Sequence, residues 1–372
     1  MHRFRKHGIL LVLLAILLTI TGCGFGLDKT LKEIDPPKVD YVDDEKALDT
    51  DASGSEKSAT EEPSDGSSVD KADESSAAPG EEGAAETTGR QLYLLDKNGM
   101  VVPQMLQLPA TKEVAKQALE YLVKDGPVTE LLPNGFQAVI PADTKVSVNK
   151  VDDTIVADFS KEFENYQADQ EQAILEAITW TLTQFDGVKN VKLRINGHDL
   201  TEMPVNGTPI GDGVSRADGI NVQMGNIVDV TNSTGVTLYF LAQSDDQTYY
   251  VPVTKRVEGA KDNVAATIKG LIEGPALETG LFTEFSRDVK VLNKTLDEGL
   301  LTLDFNEAIL GGEKQQAISD EALNSLVLSL TEQNSIKEVA ITVDGKAGIL
   351  NEKGEPLSEP VTRPVKVNAV GF

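Results

Sequence analysis

The sequence predicts an α+β fold, built as two tandem copies of one small domain and preceded by a signal peptide and an acidic tether. Three observations lead to this prediction. Motifs recur in one order at a near-constant spacing, strand-type and helix-type hydrophobic patterns are mixed without strict alternation, and the residues before them are first apolar and then acidic. We place the two copies at residues 90–225 and 235–372.

The composition limits the classes of function. The chain has 372 residues, enough for about two domains, with 40% hydrophobic residues and a formal net charge of -26. This acidity argues against a nucleic-acid binder, which needs a basic face. One cysteine excludes an intramolecular disulfide framework and a thiolate zinc cluster, and three histidines leave little for metal or acid–base chemistry.

Residues 1–22 have the three parts of a signal peptide. A basic head at residues 3–6 precedes an apolar run, Ile9 to Ile20, which at twelve residues is too short for a membrane-spanning helix. The next motif, Ile20-Thr21-Gly22-Cys23, resembles the lipobox of bacterial lipoproteins, whose cysteine is acylated, typically with palmitate, and begins the mature chain. We therefore predict lipidation at Cys23; the alternative is an ordinary secretory signal with an incidental cysteine.

Residues 23–89 are predicted to form a disordered tether. From Gly24 to Gly89 there are 19 acidic residues against 6 lysines. The segment has too few large apolar side chains to offset the entropy of ordering, and its like charges extend it. We interpret it as a spacer that holds the folded part away from the membrane. An acidic calcium or partner tail is the alternative, although no EF-hand spacing is present.

The duplication is visible in motifs that return 144 to 148 residues later. One such pair could arise by chance, whereas an ordered series indicates a tandem repeat. The series includes Leu92-Tyr93-Leu94-Leu95 with Leu238-Tyr239-Phe240-Leu241, Gly126-Pro127 with Gly274-Pro275, Asp158-Phe159-Ser160 with Asp304-Phe305-Asn306, Val214 with Val361, Arg216 with Arg363, and Asn221 with Asn368.

Each copy shows the same succession of predicted elements. Two strands joined by a turn are followed by a helix that runs into Gly-Pro, then by a hairpin, a longer helix and a closing strand. A capping box, Asp169 with Gln172, marks the start of the longer helix. This order predicts two helices on one face of a short mixed sheet. The patterns cover Leu92–Leu95, Val114–Leu122, Lys145–Val148, Thr154–Phe159, Ile174–Phe185 and Val188–Ile195, then Val236–Leu241, Tyr249–Val253, Val264–Ile272, Val289–Leu292, Leu300–Phe305, Leu323–Leu330 and Lys337–Val343.

The residues that could carry chemistry favour structural roles. His198 follows an Asn-Gly turn, has no counterpart in the second copy, and is interpreted as a surface loop residue. Asp158 and Asp304 each precede a phenylalanine at a strand end, so one carboxylate belongs to each copy. An acid–base pair needs two carboxylates about 5–9 Å apart in one cleft. We therefore predict that each aspartate caps a backbone turn.

The remaining arginines, the tryptophan and a glycine-rich run also favour structural roles. Arg216 and Arg363 are candidate partners for those aspartates. Trp180 lies off the strict apolar stripe of its helix and is expected at the edge of the core, where it could be partly exposed, rather than as a ligand platform. The glycine-rich run at residues 207–213 precedes no helix pattern and is expected to be a surface loop, not a phosphate site. We predict no catalytic residue, no metal site and no cofactor.

In their order, these motifs resemble the GerM family of sporulation and spore-germination lipoproteins, with its tandem GerMN domains. The motifs are Leu-Tyr-(Leu/Phe)-Leu, (Asp/Glu)-Gly-Pro, Asp-Phe-(Ser/Asn) and Val-Lys-Leu-Arg-Ile-Asn-Gly. The resemblance implies a domain like the ring-building modules of secretion-type assemblies. It also implies a non-catalytic protein on the outer face of the mother-cell membrane that helps to build the channel to the forespore. Implied partners are the membrane, through Cys23, and channel or engulfment proteins.

Two other classes of function remain open at this point. Two homologous lobes suggest a ligand-binding lipoprotein that recognises peptidoglycan fragments in a cleft between the copies. A pocket there lined by aromatic and polar groups would favour this reading, and a shallow, wet interface would count against it. The third hypothesis is a wall hydrolase that uses Asp or Glu.

Overall fold

The computed structural model describes residues 86–223, 233–244, 247–258, 262–311 and 317–369, all within one compact unit of the chain that begins at Pro79. The predicted signal peptide, Cys23 and nearly all of the predicted tether lie outside these residues. Within them, the helices have 7 to 12 residues, and none is long and apolar enough to cross a membrane.

The first copy combines an antiparallel hairpin, two helices and a mixed sheet. Strands β1 and β2 pair from Thr87 with Pro109 to Leu95 with Val101. In the sheet, β4 lies antiparallel to β3 and parallel to β5, and Val214 extends the sheet by pairing with Val191. The elements are β1 Thr87–Leu95, β2 Val101–Pro109, α1 Val114–Glu120, β3 Val146–Val151, β4 Thr154–Phe159, α2 Glu171–Leu182, β5 Asn190–Ile195 and β6 His198–Asp199.

The second copy repeats this arrangement. Its hairpin is longer, its sheet again joins an antiparallel and a parallel pair, and Val361 pairs with Val339 as Val214 does with Val191. The elements are β7 Ser233–Ser244, β8 Gln247–Glu258, α3 Asn263–Glu273, β9 Val291–Asp297, β10 Leu300–Phe305, α4 Asp320–Leu330, β11 Glu338–Val343 and β12 Val361–Thr362. The prediction of two tandem α+β domains is confirmed.

The second helix of each copy is buried along most of its length. In α2 the buried residues run without a break from Ile174 to Leu182, which is typical of a helix covered on more than one face. The helix contacts β1 and β2 of the hairpin and β5 of the sheet. The sequence predicted helices on one face of a single sheet; the hairpin forms a second layer over the helices.

Two local predictions were wrong. Helix α1 ends at Glu120, because the residues after it pair with a later segment: the Leu122 carbonyl accepts the N–H groups of Val139 and Ile140. Only α3 runs into its Gly-Pro, where Gly274 has φ +80°. The capping box before α2 uses Gln167 with Gln170, because a 3₁₀ turn precedes the helix.

A buried carboxylate fixes the loop after β6. Glu171, with 0% of its surface exposed, accepts hydrogen bonds from Tyr166 Oη at 2.8 Å and from the N–H groups of Asn206 at 2.7 Å and Thr208 at 2.9 Å. Burial alone would raise the pKa of Glu171, but these donors outweigh it and lower the pKa to about 2. Glu171 therefore holds the start of the glycine-rich run at residues 207–213, which lies in a mostly exposed loop as predicted.

We predict that Glu171→Gln lowers the free energy of unfolding by about 2–3 kcal/mol at pH 7. A lowered pKa stabilises the fold above the ordinary value of 4.5, and this contribution disappears as the pH falls towards 2. Urea unfolding followed by the fluorescence of Trp180 should show a difference that shrinks between pH 5 and pH 3. The exposed Glu202→Gln variant serves as the control, and an equal effect of both substitutions would contradict the account.

Candidate functional site at the junction of the two copies

The C-terminal segment of each copy crosses over to the hairpin of the other. After Gly219, the Ile220 carbonyl accepts the Thr254 N–H at 2.8 Å, and Gln223 pairs with Lys255 of β8. In the reverse direction, Ala369 pairs with Met105 of β2. We call this exchange of segments between the two hairpins the interdomain joint.

Asn221 bonds the first copy to the second. Its side chain accepts the Val101 N–H at 2.8 Å and donates to the Val101 carbonyl at 2.8 Å, both on β2 of its own copy. The same amide nitrogen donates to the Pro252 carbonyl of β8 at 2.7 Å. One side chain therefore satisfies main-chain groups of both hairpins.

Asn368 makes the matching contacts from the second copy. Its side chain accepts the Tyr250 N–H and donates to the Tyr250 carbonyl, each at 2.8 Å. It also donates to the Pro103 carbonyl of the first copy at 2.8 Å. Asn221 and Asn368 lie 147 positions apart and make the same three bonds, so the joint has approximate two-fold symmetry. Both asparagines have positive φ, +46° and +53°, a conformation that asparagine tolerates better than most residues.

A second layer of the junction consists of two arginines that share one carboxylate. Arg216 Nη1 lies 3.0 Å from Glu332 Oε2, and Arg363 Nη2 lies 2.5 Å from Glu332 Oε1. The exposed fractions of the three side chains are 29% for Arg216, 30% for Arg363 and 12% for Glu332. Burial raises the pKa of Glu332, but the two arginines outweigh this effect, so the pKa lies below its ordinary value.

Aromatic rings support these arginines. The Arg216 guanidinium lies 4.3 Å from the centre of the Trp180 ring, and the Arg363 guanidinium lies 5.2 Å from that of Tyr239. Tyr239 Oη donates to Glu332 at 2.8 Å, and the Trp180 ring packs 5.7 Å from Tyr93. Trp180 is 1% exposed and donates from Nε1 to the Gly219 carbonyl at 2.9 Å. The expectation of a partly exposed tryptophan was therefore wrong.

The aspartates cap turns as predicted. Asp158 Oδ1 accepts the Gly197 N–H at 3.0 Å, and Asp304 Oδ1 accepts the Gly345 N–H at 2.9 Å. Phe159 and Phe305 are buried. The suggested pairing of Arg216 and Arg363 with these aspartates was wrong, because both arginines bind Glu332.

His198 is exposed, as predicted, in the two-residue strand β6. Among the residues described, no group of three or more His, Cys, Asp and Glu side chains could hold a metal ion.

Glu332 was not among the residues predicted from the sequence to have a role. The repeat aligns it with Gln184, since the Tyr93 and Tyr239 N–H groups bind Thr181 and Ser329 three positions earlier. The sequence feature that could have revealed it is the difference between the copies at this position, where Gln184 of the first copy is replaced by Glu332 in the second. Its partners lie in tail segments far along the chain, so local spacing could not reveal them.

A polar cleft of about 1060 Å³ opens beside the arginines, between the two copies. Its charged lining comprises Arg90, Lys189, Arg216, Arg363, Asp186 and Glu332. Residues of both copies line it, and its basic side chains outnumber its acidic ones by four to two, so it could hold an anionic ligand.

We predict that Asn221→Ala and Asn368→Ala each lower the free energy of unfolding by about 1–3 kcal/mol, because main-chain groups of both hairpins lose a partner. The effect should exceed that of the exposed Asn190→Ala variant, measured by urea unfolding. Loss of both asparagines should also separate unfolding into two transitions. A double variant that unfolds in one transition with unchanged stability would contradict the proposed joint.

We predict that Glu332→Gln lowers the free energy of unfolding by about 3–5 kcal/mol at pH 7, because two largely buried arginines lose their carboxylate. Since the pKa of Glu332 is lowered, its contribution is complete above the ordinary value of 4.5 and is lost as the pH falls through the lowered value. Thermal unfolding across pH 3 to pH 7 tests this, with the exposed Glu359→Gln variant as control. A loss that is independent of pH would overturn the electrostatic explanation.

Comparison with known proteins gives consistent matches. The family model described as "Germane: Sporulation and spore germination" matches residues 91–201 and 237–348, once in each copy. "Spore germination protein GerM" of Bacillus subtilis (strain 168) is 50% identical over 362 residues, covering 95% of each chain. The solved structure "Tandem GerMN domains of the sporulation protein GerM from Bacillus subtilis" is 54% identical, with a TM-score of 0.72, and covers 76% of this chain and 100% of its own. The chain belongs to this GerM family of sporulation and spore-germination proteins with tandem GerMN domains.

Proposed function

We propose that this protein is a non-catalytic, lipid-anchored scaffold that helps to assemble the channel between mother cell and forespore. The observation that carries the proposal is the interdomain joint, which combines two copies of one domain into a single unit. Each copy satisfies main-chain groups of the other through the same asparagine contacts. A fixed spacing between two similar surfaces suits a component that engages repeated partners in an assembly.

The roles of the polar residues support a structural protein. Asp158 and Asp304 cap turns, and Glu332 pairs with one arginine from each copy. The relative with 50% identity is called a spore germination protein, and the related solved structure belongs to a sporulation protein. Family membership therefore supports a role in sporulation, and the channel role is the finer proposal.

The membrane anchor in this proposal is Cys23. Two acyl chains, each contributing about 0.8 kcal/mol per buried methylene, would hold the protein firmly on the extracytoplasmic face of the mother-cell membrane, facing the forespore. The 19 acidic residues between Gly24 and Gly89 would place the folded unit at a distance from that surface. The proposed partners are channel or engulfment proteins.

Cross-linking in sporulating cells tests the proposal. The wild-type chain should be recovered in the membrane fraction, cross-linked to channel or engulfment proteins. Cys23→Ser should move the chain out of the membrane fraction and remove these cross-links, whereas the control Asp28→Asn, five residues away, should change neither. Recovery of lipid and wall material alone would contradict the scaffold role.

A second candidate function is ligand binding, and the interdomain cleft of about 1060 Å³ favours it. The ligand in this case would be a cell-wall fragment. Binding of a purified muramyl peptide to the mature protein, lost in Arg216→Gln, would favour this function over the scaffold. The cross-linking experiment also distinguishes the two functions, because a scaffold should be cross-linked to protein partners and a ligand-binding protein need not be.

A further inference from the structure

The interdomain cleft carries positive charge in an otherwise acidic protein. Its lining contributes four basic and two acidic side chains, a difference of +2, whereas the whole chain has a net charge of -26. Lys189 is partly neutralised by Asp153 at 3.3 Å. The remaining positive charge lies with Arg90 and with the Arg216–Arg363 pair, which are the residues that an anion would contact.

These arginines are not fully neutralised. Glu332 gives one oxygen to each of Arg216 and Arg363, so a single negative charge serves two guanidinium groups. Arg90 Nε is buried and has no hydrogen-bond partner among the described residues. A buried charged donor without a partner is costly, and a carboxylate is the group that a guanidinium binds best. Among the described residues, the cleft lining therefore holds fewer carboxylates than basic groups, two against four.

The acidic end of the tether enters the fold beside this cleft. Gly89, Arg90 and Gln91 belong to β1 and also line the cleft, and β1 begins at Thr87. With a rise of about 3.3 Å per residue, Thr87 lies about 7 Å from Gly89 along the strand. The preceding residues 61–86 contain nine acids and one lysine.

The nearest acids are within reach of the arginines. Glu81 and Glu82 precede Gly89 by eight and seven residues, so a reversed chain can extend over about 20–25 Å. Since Gly89 and Arg90 themselves line the cleft, a chain of this length that folds back from Gly89 can reach the neighbouring lining residues. A short connection also gives an effective concentration in the millimolar range, so weak individual contacts suffice for occupancy.

We propose that this cleft binds the carboxylates of an acidic peptide and that its occupant is the chain's own segment, residues 79–86, folded back from the start of β1. The segment supplies the carboxylates that Arg90 and the arginine pair lack. Docking would fix the direction in which the tether leaves the folded unit and would keep other anions out until a stronger ligand displaces it. This inference goes beyond the scaffold role and does not depend on it.

Energy transfer from Trp180 provides the test. Trp180 is the only tryptophan and lies under Arg216 at the cleft. The mature chain carries Cys23→Ser and Ala78→Cys, with a dansyl group on the new cysteine, so that the acceptor lies next to the proposed segment. Transfer should be high in 0.1 M salt and fall about twofold in 1 M salt, as the Debye length shortens from about 10 Å to about 3 Å.

Matched variants identify the contacts. Combining Glu81→Gln, Glu82→Gln and Glu86→Gln, which leaves the folded domains untouched, should lower the transfer about twofold in 0.1 M salt. Arg90→Gln should do the same, while Lys97→Gln at the exposed hairpin turn of β1 should have no effect. Equal transfer in all variants and at both salt concentrations would overturn the proposal.

Titration with added peptides tests whether the chain's own segment or another ligand occupies the cleft. A synthetic peptide of residues 79–88 should bind the triple Gln variant at least about tenfold more tightly than the parent chain, whose own segment competes. Equal binding to both chains would contradict the proposal. So would a muramyl peptide that binds the parent chain at the cleft without lowering the transfer. These measurements use purified protein, so their failure leaves the cross-linking test of the scaffold role unaffected.

Discussion

The bond network of Asn221 and Asn368 is the interaction on which the rest of the structure depends. Each side chain satisfies three main-chain groups, two in its own copy and one in the other, at 2.7–2.8 Å. Pro103 and Pro252 have no N–H, so each offers the opposite copy only its main-chain carbonyl, which accepts from the asparagine. Without these bonds, main-chain groups of both hairpins would lose their side-chain partners. Arg216 and Arg363 each precede one of these asparagines by five residues in the same tail segment, so the joint helps to position the arginines at the cleft.

The ion pairs between Glu332 and the two arginines carry a desolvation cost. Taking three charged side chains out of water is expensive, and it is repaid only when geometry and hydrogen bonds are good. Here Glu332 receives two guanidinium groups and the Tyr239 hydroxyl, while Trp180 supports Arg216 from below. The second copy has Glu332 where the first copy has the neutral Gln184. One carboxylate therefore faces two arginines, which leaves an excess of positive charge at the junction. That excess explains how a strongly acidic chain presents a basic cleft.

Local sequence patterns predicted the elements well, and long-range contacts account for the errors. Strands Thr154–Phe159 and Leu300–Phe305 match the predicted bounds, because alternation and a following turn are local signals. The end of α1 and the burial of Trp180 depend on segments distant in sequence, which a pattern of neighbours does not contain. The repeat did align Asn221 with Asn368 and Arg216 with Arg363. Their partners stayed hidden because the tails cross to the other copy.

Calorimetry of the mature protein tests most directly whether the two copies form one unit. The interdomain joint predicts a single thermal transition for both copies, with the calorimetric enthalpy equal to the van't Hoff enthalpy. Two separate transitions, or a van't Hoff enthalpy near half the calorimetric value, would show that the copies unfold independently. That result would contradict the account.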